Sequence, residues 1–194
     1  MRIIAGTKRG MKLLGPKSGE SRPITDRVKE SLYSVLYKYD LPSGKIIADL
    51  FCGVGSLGLE ALSRGAAFVT FVEQDRKVVA ILDRNIEKAG FVGESKVIRA
   101  DAFKIGAPVG FDEKKYNLVF VDPPYVCTKD VRAGSPLSGL LASVSEQVAP
   151  DGFVVVRTHR RTFLLDKYVH LQIIERRQWG TMAVTILQQI SNDK

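Results

Sequence analysis

Ile46-Ile47-Ala48-Asp49-Leu50-Phe51-Cys52-Gly53-Val54-Gly55-Ser56-Leu57-Gly58 carries three structural signals in succession. The apolar run Ile46–Phe51 reads as a buried strand, and the pattern over Leu57–Arg64 as a helix. Between them, Gly53, Gly55 and Gly58 fit the spacing G-x-G-x-x-G, which lets a backbone turn sharply and approach a nucleotide-type ligand closely. A strand, a glycine loop and a helix in that order open an α/β fold. By itself the glycine spacing is also compatible with a purely structural turn.

Working outward, the same alternation continues. Phe68–Val72 reads as a strand and Arg76–Ala89 as a helix with Val79, Leu82 and Ile86 on one face. Lys96–Arg99 and Tyr116–Val121 are further strands, a helix lies within Pro136–Val148, and Phe153–Arg157 is the next strand. Strands separated by helical patterns pair in parallel through crossovers, giving a doubly wound sheet. Strands at about Leu171–Arg176 and Met182–Gln189 have too few residues between them for a crossover, so they pair antiparallel. Upstream, a helix starts near Thr25 or Asp26 and ends before Pro42. Residues 1–23 form a basic arm: two short apolar segments flank the Gly-bounded turn Thr7-Lys8-Arg9-Gly10, as in a β-hairpin. The expected organisation is an arm over 1–23 and a catalytic domain over 24–194.

Acids stand at the ends of successive strands. Asp49 precedes the glycine loop, Glu73 ends the second strand and Asp101, beside Ala102, follows the third. Glu73 is placed to take ribose hydroxyls and Asp101 to meet an adenine edge. A dinucleotide would bring an anionic pyrophosphate to the helix N-terminus, and Asp49 would repel it. S-adenosylmethionine carries an ammonium and a sulfonium, which Asp49 favours, so the methyl donor is the expected cofactor.

The fourth strand ends in Asp122-Pro123-Pro124-Tyr125. The prolines lack N–H donors and fix φ, so the chain cannot simply continue the sheet there. A carboxylate, exposed carbonyls and a ring remain. Together they hold a flat group bearing an –NH2: Asp122 and the Pro123 carbonyl accept the amine hydrogens while Tyr125 stacks on the base. Attack on a methyl then needs orientation, with the nitrogen held roughly 3–3.5 Å away. A helix cap or ion-pair role for Asp122 is the plainer alternative. Cys127 lies outside the tetrapeptide and reads as a packed or half-exposed thiol, and Cys52 as a small residue of the cofactor loop.

At 194 residues and 45% hydrophobic content the chain supports one core. No apolar run reaches the ~20 residues of a membrane span, and the N-terminus has too short an apolar stretch for a signal peptide; a cytoplasmic monomer is expected. Two cysteines and two histidines, His159 and His170, match no metal-ligand spacing, so no metal is expected. The net charge of +8 points to a nucleic-acid partner. The positive charge collects in Arg2, Lys8, Arg9, Lys12, Lys17 and Arg22, and again in Arg157, Arg160, Arg161, Lys167, Arg176 and Arg177. His159 reads as part of that basic surface.

Asp122-Pro123-Pro124-Tyr125 resembles the (D/N)PP(Y/F) motif of amino-methyltransferases on the S-adenosylmethionine-dependent Rossmann-like fold. Arg22-Pro23-Ile24-Thr25-Asp26-Arg27-Val28-Lys29-Glu30 resembles a signature of the bacterial RsmD family, which methylates N2 of a guanine in 16S ribosomal RNA. Arg2-Ile3-Ile4-Ala5-Gly6, Arg9-Gly10, Lys12-Leu13 and Gly58–Ala66 are similar to that family too; the likeness weakens after about residue 126. It implies a seven-stranded, mostly parallel sheet in the order 3-2-1-4-5-7-6, with a guanine presented on the small ribosomal subunit. It also implies cofactor contacts at Asp49, Cys52, Gly53, Gly55, Glu73, Gln74, Asp101, Ala102 and Asp122. The catalytic set is Asp122, Pro123, Pro124 and Tyr125, and RNA contacts fall on Lys8, Arg9, Lys12, Arg22, Thr25 and Arg27. Ile24 departs from the threonine common in the family. Adenine-N6 methylation, glutamine methylation of a protein, and a non-catalytic nucleic-acid-binding protein on a degenerate methyltransferase fold are the competing readings.

Overall fold

The structure is a computed structural model, and it describes residues 1–16, 24–108 and 114–190. Eight strands form one sheet in the order β3-β2-β1-β4-β5-β8-β7-β6. β1 (Ile46–Leu50), β2 (Phe68–Glu73), β3 (Ser95–Arg99), β4 (Tyr116–Val121) and β5 (Val148–His159) run parallel. β8 (Met182–Gln189) pairs antiparallel with both β5 and β7 (Leu171–Trp179). The order that the resemblance implies reappears with one addition. β6, the two-residue strand Lys167–Tyr168, pairs with β7 at the edge, too short to leave a periodic pattern.

The helices are α1 (Asp26–Leu36), α2 (Ser56–Ser63), α3 (Arg76–Ala89), α4 (Ala102–Ile105) and α5 (Pro136–Gln147). Thr25 caps α1, Asp75 caps α3 and Ser135 caps α5 ahead of a proline at the first helical positions, each side chain satisfying an otherwise orphan amide. The sheet separates two apolar layers. Leu32, Leu36, Leu59, Phe71, Leu82, Phe120 and Val155 fill one, with α1, α2 and α3; Leu50, Val119, Val121, Leu140, Val144 and Val156 fill the other, with α5. Central strands bury both faces, so β1 and β4 are nearly continuous apolar runs, broken by Asp49 and Asn117, rather than alternating ones.

The N-terminal segment is a hairpin: Arg2 bridges antiparallel to Lys12, and the Ile3 amide donates to the Met11 carbonyl at 2.9 Å. It lies clamped along α2 and α3. The Ile4 and Ala5 amides donate to the Glu60 carboxylate at 2.8 and 3.0 Å. Lys29 meets the same carboxylate at 3.1 Å and also donates to the Arg2 carbonyl at 2.7 Å, while Arg64 holds the other oxygen at 2.8 Å. Lys29 and Glu60 are 1% and 0% exposed. A Cβ on Gly6 would fall 1.7 Å from the Ser63 carbonyl oxygen, so only glycine lets the hairpin approach α2 this closely.

Candidate functional site

The carboxyl ends of β1, β2 and β4 converge, as ligand clefts do in open α/β sheets. At β1 the chain turns so abruptly that Phe51 takes φ 58°, followed by Gly53 at φ 55° and Gly55 at φ 87°. A phenylalanine in the left-handed region costs about 1–3 kcal/mol. Its ring packs on Phe103, centroids 4.9 Å apart, which ties the loop to α4. No atom lies within 4 Å of a Cβ built on Gly53, so the loop leaves open space there. On the other side, a Cβ on Gly58 would meet the Phe71 ring at 2.3 Å, and that glycine is required by helix–sheet packing.

Asp49 is 1% exposed and its Oδ2 accepts from the Gly58 amide at 2.8 Å. Burial pushes its carboxyl up to about 8; the Gly58 amide opposes this, and the Asp122 and Glu73 carboxylates push it further. A buried acid short of positive charge fits a cationic ligand. Glu73 Oε2 accepts from Gly53 N at 3.1 Å, and Oε1 from Gln74 N and Asp75 N at 2.8 and 2.9 Å. With roughly four acceptor positions on a carboxylate, three are taken, and Oε2 keeps one for a ligand. Gln74 itself contributes through its backbone. Asp101 Oδ1 caps α4 by accepting from Phe103 N at 3.0 Å, with Ala102 buried beside it. Cys52 is buried, its thiol pushed well up by burial, and its amide donates to the Val72 carbonyl at 3.1 Å.

β4 delivers the second half. The Asp122 carboxylate is ion-paired with the Arg157 guanidinium from β5, and both side chains are 16% exposed. Burial pushes the Asp122 carboxyl up and Arg157 pulls it down. Pro123 is buried, and Pro124 keeps φ −53° and ψ 140°, from which Tyr125 begins a 3-10 turn over Tyr125–Thr128. Arg157 also lies 5.9 Å from the Tyr125 ring centre, and His159 meets that ring edge-on at 5.9 Å. Arg157 and His159 extend the site beyond the residues read from sequence. The signal available for Arg157 was its place at the end of the neighbouring strand, but parity along a strand does not say which partner it reaches. His159, read as surface, is instead a neighbour of Tyr125.

The remaining sequence-derived residues spread widely. Thr25 Oγ1 accepts from Val28 N at 3.4 Å as the α1 cap, and Arg27 is exposed on α1. Arg22 lies outside the described residues. Lys8 sits 5.6 Å from the Phe91 ring centre, and the neighbouring Thr7 amide donates to the Ser63 carbonyl at 2.8 Å. Ser63 and Phe91 lie where α2 and α3 have run back toward the starts of β2 and β3. The hairpin tip with Lys8 and Arg9 is therefore at the opposite pole of the sheet from Asp49 and Asp122. Lys12 is exposed, and its carbonyl accepts from Lys88 at 2.7 Å. Among the described residues no three His, Cys, Asp or Glu side chains group as a metal site, and no helix is long and apolar enough to cross a membrane.

The sequence and the fold have counterparts among known proteins. "Putative rRNA methyltransferase YlbH" of Bacillus subtilis is 31% identical over 191 residues, covering 97% of this chain and 99% of that protein. "Ribosomal RNA small subunit methyltransferase D" of Escherichia coli K12 is 42% identical over 125 residues, 64% of this chain and 60% of that protein. Among solved structures, "Putative methyltransferase yhhF from Escherichia coli" superposes with TM-score 0.81 at 31% identity, covering 98% of each chain. The family model described as Conserved hypothetical protein 95 matches residues 1–188, and the chain belongs to this family, the RsmD family.

Proposed function

We propose that this protein transfers a methyl group from S-adenosylmethionine to the exocyclic N2 of a guanine in 16S rRNA of the small ribosomal subunit. The observation that carries the reading is the meeting of two acids with different surroundings. Asp49 is buried with a backbone amide and open space beside the loop, while Asp122 is held at the next strand end by Arg157 beside Tyr125. The small-subunit target rests on the relatives' names and on the RsmD-like signature.

S-adenosylmethionine, when bound, supplies a methyl group activated by the sulfonium. Gly53 and Gly55 bring the backbone close to it, with Cys52 a small residue in the turn. Asp49 receives its positive charge, Glu73 and the Gln74 backbone face the ribose, and Asp101 with Ala102 faces the adenine. Asp122 borders the cofactor as well as the target. Asp122 and the Pro123 carbonyl accept the two amine hydrogens of the base, which directs the nitrogen lone pair toward the methyl. Pro124 sets the direction in which Tyr125 leaves the strand, and the Tyr125 ring supports the base. Arg157 pulls the Asp122 carboxyl down against the upward push of burial, which favours the charged form, an acceptor only.

Arg27 stands in the first turn of α1, where Thr25 is the cap, and would contact RNA at that end; Arg22 is assigned to the RNA by the sequence alone. Lys8, Arg9 and Lys12 would grip phosphates at a distance from the target base, a span that a folded ribosomal RNA offers. The enzyme would act as a cytoplasmic monomer without a metal. The deciding experiment supplies labelled S-adenosylmethionine and small subunits lacking the modification, then identifies the product nucleoside. N2-methylguanosine is expected. N6-methyladenosine, methylglutamine, or cofactor binding without any turnover would each replace the proposal with the corresponding alternative.

A further inference from the structure

Beyond His159 the chain leaves the sheet as Arg160-Arg161-Thr162-Phe163 before Leu164 returns to the core. Phe163 is 65% exposed at the surface of this segment. Arg176 from β7 lays its guanidinium on the ring, 4.4 Å from the centroid. The same guanidinium donates to the carbonyls of Arg160 and Thr162 at 2.7 and 3.2 Å. Arg176 thus fixes the loop and backs the phenyl ring at once.

The loop is joined to the catalytic turn. Thr162 Oγ1 donates to the Thr128 carbonyl at 3.3 Å, and the Thr162 amide donates to the His159 carbonyl at 2.9 Å. His159 Nδ1 accepts from the Arg161 amide at 3.2 Å while its ring meets Tyr125. Phe163 is therefore held in fixed relation to Tyr125. Arg160 and Arg161 are exposed beside it, with Lys167 and the acid Asp166 further along the loop.

We propose that Phe163, backed by Arg176 and flanked by Arg160 and Arg161, is a stacking platform for an unpaired nucleotide of the RNA next to the methylated base. An exposed ring accepts any base, because every base has a π face. Two exposed guanidinium groups suit the phosphates on either side of it. A base drawn out of a loop leaves its neighbour unstacked, and the platform compensates that loss where it arises. A protein partner would find two unpaired arginines beside its apolar contact, so the charge favours RNA. The platform rests on the proposed activity, but its own contact with RNA is measurable without it.

Methyl transfer to small subunits would be measured for the wild type, Phe163→Ala, Phe163→Trp and the double variant Arg160→Glu/Arg161→Glu, with binding of a labelled single-stranded oligoribonucleotide followed by anisotropy. Base stacking of ~1–3 kcal/mol corresponds to a rise in KM of about 5- to 150-fold for Phe163→Ala. The saturating rate and the affinity for S-adenosylmethionine are expected to stay within about twofold. Phe163→Trp restores KM, and the charge reversal raises KM while flattening its salt dependence. If Phe163→Ala leaves both KM and oligoribonucleotide affinity unchanged while the wild type methylates its subunits, the platform is wrong and the proposed function stands. Equal losses for Phe163→Ala and Phe163→Trp would also overturn it, as a packing role. If the wild type methylates no RNA but Phe163→Ala still weakens oligoribonucleotide binding, the platform survives and the methylation target falls.

Discussion

The two halves of the cleft are built by different means. On the β1–β3 side, each acid is anchored by backbone amides within a few residues or on the adjoining loop: Asp49 by Gly58, Glu73 by Gly53, Gln74 and Asp75, and Asp101 by Phe103. On the β4–β5 side, Asp122 is held by Arg157 and Tyr125 is flanked by His159, residues more than thirty positions away in the chain. Amide anchoring fixes a carboxylate where the chain turns without supplying a countercharge. Side-chain anchoring supplies a countercharge, so it controls whether the carboxylate is ionised. On the proposed function, the first device would serve the cofactor half and the second the half that holds the amine.

The sharpest way to break this contrast is Asp122→Ala. Methyl transfer should fall about 10³-fold, the scale of losing one preorganised hydrogen-bonding group, while calorimetric affinity for S-adenosylmethionine changes little. Residual activity within tenfold of wild type would remove Asp122 from its role, and recovery by Asp122→Asn would separate acceptor geometry from charge.

On the other side, Gly58→Ala forces a methyl group into the Phe71 ring. Overpacking of this kind costs about 1–3 kcal/mol, and the displaced amide loosens Asp49, so chemical denaturation and cofactor affinity should both show the loss. A variant with unchanged stability would show that the loop yields freely and is not the rigid half.

The pH response comes next. The Asp49 carboxyl titrates near 8 in the folded protein, against an ordinary 3.8. Folding therefore takes up a proton between those values, so this group's contribution to stability declines as pH rises from 3.8 toward 8. Asp49→Asn should flatten that slope. A bound cation reverses the balance by drawing the proton off. Affinity for S-adenosylmethionine should therefore rise by up to about tenfold per pH unit below 8, with proton release detectable in buffers of different ionisation enthalpy. Binding that is independent of pH would place the cofactor's charge elsewhere.

The smallest effect is expected at Arg157. Arg157→Gln removes the group that lowers the Asp122 carboxyl, so the acid limb of the pH–rate profile should move to higher pH. The saturating rate above that limb should change least. An unmoved limb would assign the countercharge role to another group.

Much of this was readable from local pattern. The α3 bounds, the β8 bounds and the antiparallel last pair follow from periodicity and from the short connection between β7 and β8. α4 and β6, of four and two residues, are too short for either period to register. The charged residues were harder. Lys29 and Glu60 are buried as the clamp between hairpin, α1 and α2, and nothing in their helical spacing marks them as a pair. Lys8 and Arg9 formed a basic cluster in sequence, but the clamp turns them to the far pole of the sheet.

The sequence by itself determined the strand–loop–helix order, the acid at each strand end and the tetrapeptide after β4, because turn chemistry and side-chain period are local properties of the chain. Only the tertiary structure decided that Arg157 faces Asp122, that His159 stands beside Tyr125, and that Arg176 supports an exposed Phe163. Those pairings depend on which strands become neighbours and in what register, which is set by the sum of core packing across the whole sheet rather than by any one segment.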